Sequence, residues 1–449
     1  MHAARWVPVR AAEAGIDGPV EITTASPAMA AGLESYFAKA GVSSVHAVRQ
    51  PTGTASVTIL TEGLGPAAMT ARHWAALAAA RQAKREGAQV IFLQRAAPDT
   101  GLEGLARTLR REWPRTGVAC WTLPYGDASE AALVGSWAGA AAGDLWFTPD
   151  GDALASDLGT AVSPRHLPAP VRPGSWLITG GARGVTAACA IELAKATGGC
   201  FILAGRSAEL PWPAGIVHTL DLATLRGQIA AAVKRGERPA PAAIDKSARA
   251  ALAGLEIRET LARIRAAGAE AHYIQMDTSD AASVDTALRN VEAHFGAITG
   301  LVHGAGIIAD RLADEKTEAE LARVFAPKAE GLFHILSRIN RAALRHVGLF
   351  SSASAFFGNR GQCDYAMANA ILANAGRTLA AELPGARVKV FDWGPWEGGM
   401  VDAALAAHFR QQGVALIPLA EGARIFTHEL LAGDPAAVEL VIGSIGDEA

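Results

Sequence analysis

Cysteine is scarce in this 449-residue chain. The four thiols, Cys120, Cys189, Cys200 and Cys363, never pair as C-x-x-C, which argues against a zinc ribbon or a redox dithiol. Long hydrophobic runs are absent too. The alanine-rich stretches are broken by Arg, Lys, Glu or Gly before 18 apolar residues accumulate, so no membrane span is expected. The opening "MHAARWVPVRAAEAG" has no apolar core of a secretory signal; with so few thiols, the expected compartment is the cytoplasm. Charge of one sign is missing as well: the formal net charge is -3 and no block of like charges occurs, so no basic field points to nucleic acid. "THELLAG" begins like a zinc helix, but Ala432 stands where the second histidine is required, and no metal is expected.

What is present is apolar mass and glycine. Half the residues are hydrophobic and 19% are charged, the balance of a well-filled globular chain. The length suggests two or three domains. Residues 1 to about 145 read as a loose α/β unit. "RWVPVR", "VSSVHAV", "ASVTILT", "AQVIFLQR" and "GVACWTLP" have strand character, with helical spacing in "MTARHWAALAAARQAKREG" and "LEGLARTLRREWP". Strand-helix alternation implies a parallel sheet. No glycine loop follows these strands in dinucleotide-binding spacing, so this half is expected to be structural. Five prolines among polar clusters in residues 148–175 mark a linker or connecting arm.

The second half carries the candidate chemistry. "SWLITGGARGVTAACAIELAKATGG" is a strand, a glycine loop and a helix. Thr179, Gly180, Gly181, Arg183, Gly184 and Val185 stand where strand becomes helix, and a pyrophosphate can approach the bare backbone and the helix's free N–H groups there. The next strand, "CFILAG", ends at Arg206-Ser207. An acidic residue at that strand end would favour NAD, whereas Arg206, aided by Arg183, offers a guanidinium fork to a 2′-phosphate; both also suit a solvated surface. "AHYIQMD" ends in Asp277-Thr278, and "ITGLVHGAG" ends in His303-Gly304-Ala305-Gly306, small residues that leave room for a cofactor across the sheet edge. Further on, "LFSSASAFFGNRGQCDYAMANAIL" sets Ser352, Tyr365 and Asn369 on a strand end and one helix face.

Taken jointly, strand-TGGxxGV-helix, "VHGAG", "FSSASAFFGNRGQCDYAMAN" and "DWGPW" resemble the ketoreductase domain of type I polyketide and polyunsaturated fatty acid synthases, a branch of the short-chain dehydrogenases. The insertion from about 208 to 256 and the loop "GGARGVT" are most similar to the polyunsaturated fatty acid synthase subgroup. The resemblance implies an α/β fold of two Rossmann-like subdomains, a truncated structural one at 1–168, which includes the connecting arm, and a catalytic one at 169–449 with a parallel sheet flanked by helices. It implies Tyr365 as catalytic tyrosine, Ser352 thirteen residues earlier as catalytic serine, Asn369 where ordinary short-chain dehydrogenases carry lysine, and Lys328 of "APKAEG" as the relocated lysine. The loop's third glycine is replaced by Thr186. A free phenol titrates near 10, and a neighbouring Lys328 ammonium is expected to lower it.

The activity implied is NADPH-dependent reduction of a 3-oxoacyl thioester carried on the phosphopantetheine arm of an acyl carrier protein, alongside other synthase domains, without nucleic acid, membrane or metal. Two alternatives stay open: a free-standing dehydrogenase of small ketones, and a non-catalytic synthase module. In the resembled family a Leu-Asp-Asp motif accompanies the 3R alcohol and a tryptophan eight residues before the tyrosine accompanies the 3S. Here the positions read Ile308-Ala309-Asp310 and Phe357, which points to 3R.

Overall fold

Short strands with apolar centres set the architecture. Val90 to Leu93 and Val347 to Leu349 are buried on both faces, as expected where helices cover both sides of a parallel sheet. The computed structural model describes residues 1–10, 16–138, 143–164, 166–167, 174–232, 240–398, 403–411 and 413–443. Its strands are β1 (His2–Val9), β2 (Val20–Thr23), β3 (Val45–Val48), β4 (Val57–Gly63), β5 (Gln89–Arg95), β6 (Gly117–Leu123), β7 (Leu145–Phe147), β8 (Ala153–Thr160), β9 (Ser175–Thr179), β10 (Cys200–Gly205), β11 (Glu270–Gln275), β12 (Gly300–His303), β13 (His346–Ser352), β14 (Arg387–Trp393) and β15 (Glu439–Ile442). They form one sheet in the order β11-β10-β9-β12-β13-β14-β15-β1-β8-β7-β6-β5-β4-β2-β3.

All pairs from β11 to β15 are parallel, as are those from β3 to β7; the join is antiparallel through β15-β1, β1-β8 and β8-β7. In the second half the order reverses between β9 and β12, which opens a crevice at their carboxyl ends. The first half holds its own doubly wound set. The proline-rich segment expected as a linker contains β8, which runs in register with all of β1, from His2↔Thr160 to Val9↔Ala153. "ALASDLGT" is half-buried along most of its length, and the prolines fall outside it. The expected boundary at Pro168 lies outside the described residues.

The halves also meet through helices. The helix Leu102–Glu112 lies on the helix Cys363–Glu382, and a Cβ on Gly104 would sit 2.5 Å from the Ala366 carbonyl oxygen. Asn374 donates to the Thr100 carbonyl at 2.7 Å and to Glu103 at 2.8 Å. Only a residue without Cβ allows this approach, which places first-half backbone one residue from Tyr365. The insertion between β10 and β11 builds the helices Leu222–Ala232 and Pro241–Ala266 around a small core of Leu225, Ala248 and Ala251.

Candidate active site at the carboxyl ends of the second sheet

The glycine loop after β9 is pressed against the end of β12. Gly180 adopts φ 68°, and a Cβ there would come within 2.8 Å of the Gly304 carbonyl oxygen. Gly304 in turn faces Thr186, whose hydroxyl would lie 2.7 Å from an added Cβ. Thr186 thus occupies the space behind the loop where the resembled family has glycine. Gly184 opens the helix Gly184–Thr197, so its free N–H groups face the crevice mouth.

Below the loop, buried His303 bridges two elements. Its Nε2 lies 2.8 Å from the Lys328 carbonyl oxygen and its Nδ1 lies 2.9 Å from the Thr179 hydroxyl. A carbonyl only accepts, so Nε2 carries the proton and Nδ1 accepts from Thr179. Burial pushes the imidazole down to about 4, against a weaker upward pull from that carbonyl. His303 and Thr179 therefore spend their polar atoms on the frame. Thr278 does likewise, donating to the Pro327 carbonyl at 3.0 Å. Asp277 accepts from the Ser279 N–H at 3.0 Å and hydroxyl at 2.6 Å, which closes the turn after β11.

At the end of β10, the Arg206 side chain is exposed and has no ion-pair partner among the described residues. Its backbone is held by Gln275, and the Ser207 carbonyl accepts from the Tyr273 hydroxyl at 2.6 Å. Arg183 is differently placed: its guanidinium pairs with Glu256 of the inserted helix Pro241–Ala266. The two arginines read together from the sequence are thus one unpaired and one engaged.

Lys328, Ser352, Tyr365 and Asn369 converge. Lys328 sits on a single π-helical turn, Ala326–Glu330, where Pro327 denies the α-helical ladder its N–H. The lysine is 3% exposed; its Nζ donates to the Phe350 carbonyl at 2.8 Å and lies 5.5 Å from the Tyr365 ring centroid. Burial holds it down to about 7. Ser352 ends β13 and caps the short helix Ala353–Phe357, its oxygen accepting from the Ser354 N–H at 3.2 Å and hydroxyl at 3.0 Å. Ser354, the other hydroxyl of the segment, is thus a partner of Ser352. Asn369 is fully buried; its amide donates to the Tyr365 carbonyl at 2.8 Å, and its Oδ1 has no hydrogen-bond partner among the described residues.

Tyr365 is 7% exposed, and burial raises its phenol above the ordinary value, with the Asn369 and Ser352 side chains pulling the other way and Asp310 adding to the rise. The expected lowering by Lys328 is overturned in this arrangement because desolvation dominates. The phenol is thereby kept protonated at neutral pH, the state a proton donor needs.

Lys328, Ser352 and Tyr365 line one cavity of about 390 Å³, with Val185, Thr186, Gly304 and Gly306 at the glycine end, whereas Asn369 lies behind its wall. Phe350, Phe357, Trp393, Trp396, Leu405 and Phe409 give the remainder an apolar wall. Arg111, from the first half, also reaches the lining and donates to the Phe357 carbonyl at 2.8 Å. Nothing in the spacing of "LEGLARTLRREWP" signalled that reach across the halves. Cys200, Glu270 and His272 form the one cluster of potential metal donors among the described residues, at the amino ends of β10 and β11, away from this cavity.

A family model described as "KR domain" matches residues 174–398. The chain is 39% identical over 277 residues to a polyunsaturated fatty acid synthase polypeptide of Thraustochytrium sp. (strain ATCC 26185 / S-3), covering 60% of this chain and 10% of the relative. It is 36% identical over 186 residues to polyketide synthase GfsB of Streptomyces halstedii, covering 40% of this chain and 3% of that protein. The chain therefore spans a tenth or less of the length of these relatives. Among solved structures, an A-type ketoreductase from a modular polyketide synthase aligns with TM-score 0.72 at 21% identity, covering 99% of this chain and 93% of the other. PlmKR1, from the first module of phoslactomycin biosynthesis in Streptomyces sp. HK803, aligns with TM-score 0.71 at 21% identity over 99% of this chain and 93% of its own. At these identities the structures speak for the fold.

Proposed function

The chain belongs to the KR domain family, and from that premise we propose that it reduces the 3-oxo group of an acyl thioester tethered to an acyl carrier protein, with NADPH as reductant. The observation that carries this reading is the meeting of Tyr365, Ser352 and Lys328 on a cavity that continues to Gly304 and Gly306, against which the Gly180 loop packs. The residues present fit a dinucleotide. The crevice is bare of Cβ atoms where a pyrophosphate needs close approach, a helix N-terminus faces it, and Arg206 stands exposed at the strand end that meets an adenosine ribose. Arg206 would hold the 2′-phosphate, and Lys328 the nicotinamide ribose hydroxyls.

NADPH, when bound, supplies the hydride. The chain's own residues manage the oxygen. Ser352 donates a hydrogen bond to the ketone oxygen and orients it beside Tyr365, with Ser354 fixing the serine rotamer. Tyr365 gives its proton to the developing alkoxide. Its buried phenol is a poor place for a lasting negative charge, so the phenolate must be neutralised at once. Lys328, held near 7 and 5.5 Å from the ring, can supply a proton or an ammonium charge at physiological pH. Asn369 braces the helical turn that carries Tyr365. The apolar wall of Phe350, Phe357, Trp393 and Trp396 suits an acyl chain and keeps bulk water from the phenol.

We assign the catalytic unit to residues 169–449 and a supporting unit to residues 1–168. The product is assigned as the 3R alcohol, because Phe357 stands in place of tryptophan and Asp310 is retained, held by Gln362 at 3.1 Å and 3.2 Å. The test is turnover of short 3-oxoacyl thioesters with NADPH, followed by chiral resolution. Absence of any alcohol from carrier-bound and diffusible thioesters alike would refute the reductase assignment, and a predominantly 3S product would refute the handedness alone.

A further inference from the structure

The loop that follows β12 borders the cavity through Gly306 and Ile308. The backbone at its far end, at Ala313 and Lys316, is held by side chains from the opposite half of the chain. Glu112, last residue of the helix Leu102–Glu112, accepts from the Ala313 N–H at 2.7 Å with one oxygen. With the other it accepts from the Gly361 N–H at 2.8 Å. Arg81, on the helix Met69–Ala83, donates to the Ala313 carbonyl at 2.6 Å and to the Lys316 carbonyl at 2.6 Å. Between the two loops, the Arg311 N–H donates to the Gly361 carbonyl at 2.8 Å. One carboxylate thus joins the loop before Lys316 to the loop before Tyr365, and one guanidinium closes the far end of the first.

The grip reaches the phenol. Lys316 is 1% exposed, donates to the Ala309 carbonyl and pairs with Asp364 at 2.9 Å. The other Asp364 oxygen accepts from the Tyr365 N–H at 2.9 Å. A buried ion pair is a weak source of stability but fixes geometry, since removing either partner leaves an uncompensated charge. Ala309, Arg311, Ala313, Lys316, Gly361, Asp364 and Tyr365 are therefore joined by one run of hydrogen bonds and an ion pair that the first half grips through Glu112 and Arg81.

We propose that Arg81 and Glu112 are positioning residues for selection of the ketone face: by locking the loop that carries the wall residues Gly306 and Ile308 against the Tyr365 turn, the first half decides which face of the carbonyl meets the hydride. The proposal rests on the reductase reading above. A ketone in a cavity with one loosened wall can turn over, and the two orientations then compete through transition states of similar energy.

The experiment reduces a 3-oxoacyl thioester with NADPH using the full chain and the variants Glu112→Gln, Arg81→Met and Arg81→Lys, and resolves the alcohol enantiomers. Glutamine accepts only one of the two N–H groups that Glu112 holds, and methionine holds neither carbonyl. In both, the enantiomer ratio is expected to fall about tenfold, equivalent to about 1.4 kcal/mol between the competing transition states. The KM for NADPH stays unchanged, and Arg81→Lys, which keeps one donor and the charge, retains an intermediate ratio. It is the variant read if the others are insoluble. Arg115→Ala, which breaks only an exposed pair with Glu86, leaves the ratio intact. An unchanged ratio in folded variants, or an equal fall in Arg115→Ala, overturns the proposal while the wild-type turnover leaves the reductase reading standing. No alcohol from the wild-type chain overturns both.

Discussion

Gly104→Ala is the smallest perturbation that tests whether the first half shapes the active site. The added methyl would lie 2.5 Å from the Ala366 carbonyl oxygen, 2.6 Å from its carbonyl carbon and 2.8 Å from the Met367 nitrogen. Ordinary contact begins near 3.4 Å, so the two helices must part by about 0.9 Å at the residue after Tyr365. All three atoms are backbone, and no rotamer can yield. Overpacking of this kind costs roughly 1–3 kcal/mol of stability. A displacement of about 1 Å in a catalytic group costs on the order of 10²-fold in rate. The expected outcome is a folded protein with a lower melting temperature and kcat reduced tens- to a hundredfold at unchanged KM for NADPH. Gly227→Ala is the control, since its methyl would meet nothing within 4 Å and its helix gains roughly 0.5–1 kcal/mol. Full kcat in a folded Gly104→Ala protein would refute the claim that this interface fixes the Tyr365 turn.

Arg206→Ala is expected to raise the KM for NADPH at least tenfold, from loss of a charge-assisted contact of about 1.5–3 kcal/mol, and to leave that for NADH nearly unchanged; parallel titrations of both cofactors check it. Glu256→Gln releases Arg183 and is expected to sharpen the preference for NADPH, which the same titrations read. Ser354→Ala removes the hydroxyl hydrogen bond to Ser352 but keeps the one from the backbone N–H, and should lower kcat several-fold, less than Ser352→Ala; steady-state kinetics would contradict this by ranking them the other way. Burial holds both His303 and His73 near 4, so each stays neutral in the fold and gains a proton on unfolding at lower pH. Their contribution is present in full above pH 6.5 and drains as pH falls toward 4, by roughly 3 kcal/mol for His303 alone. Urea midpoints at pH 7 and pH 4.5 should differ accordingly; equal midpoints would show that the buried rings do not control acid stability.

Most parallel strands of the second half were legible as short apolar runs followed by glycine or a polar turn, as in "WLITGG" and "LVHGAG"; β15, the four residues "ELVI" paired with β14, was missed. β2 was missed: "VEIT" is four residues long and carries Glu21, which is buried by bonds to Thr52 that no local pattern announces. β8 was hidden by the prolines around it, because its partner β1 lies at the other end of the half. At the site, spacing put Tyr365 and Asn369 on one helix face, and only the family resemblance singled out Ser352 from Ser354. The roles of Thr179, His303 and Thr278 were not, since they depend on which buried acceptor each faces across the crevice. Glu112 and Arg81 lay beyond sequence reasoning for the same reason: "RTLRREWP" and "AAARQAKREG" read as solvated helix faces, and only the meeting of the two halves turns two of those charges inward.

Tyr365 gives the proton to the ketone oxygen, Lys328 neutralises the phenolate, and the other groups of the site bind and orient. The most direct test of this claim compares wild type with Tyr365→Phe in NADPH binding by fluorescence and in turnover of a 3-oxoacyl thioester. NADPH affinity is expected to stay within about twofold of wild type, because the phenol contributes no cofactor contact of comparable worth. Turnover is expected to fall by on the order of 10²–10⁴-fold, the scale of general acid catalysis. Turnover in Tyr365→Phe close to that of wild type, with the cofactor bound, would contradict the claim.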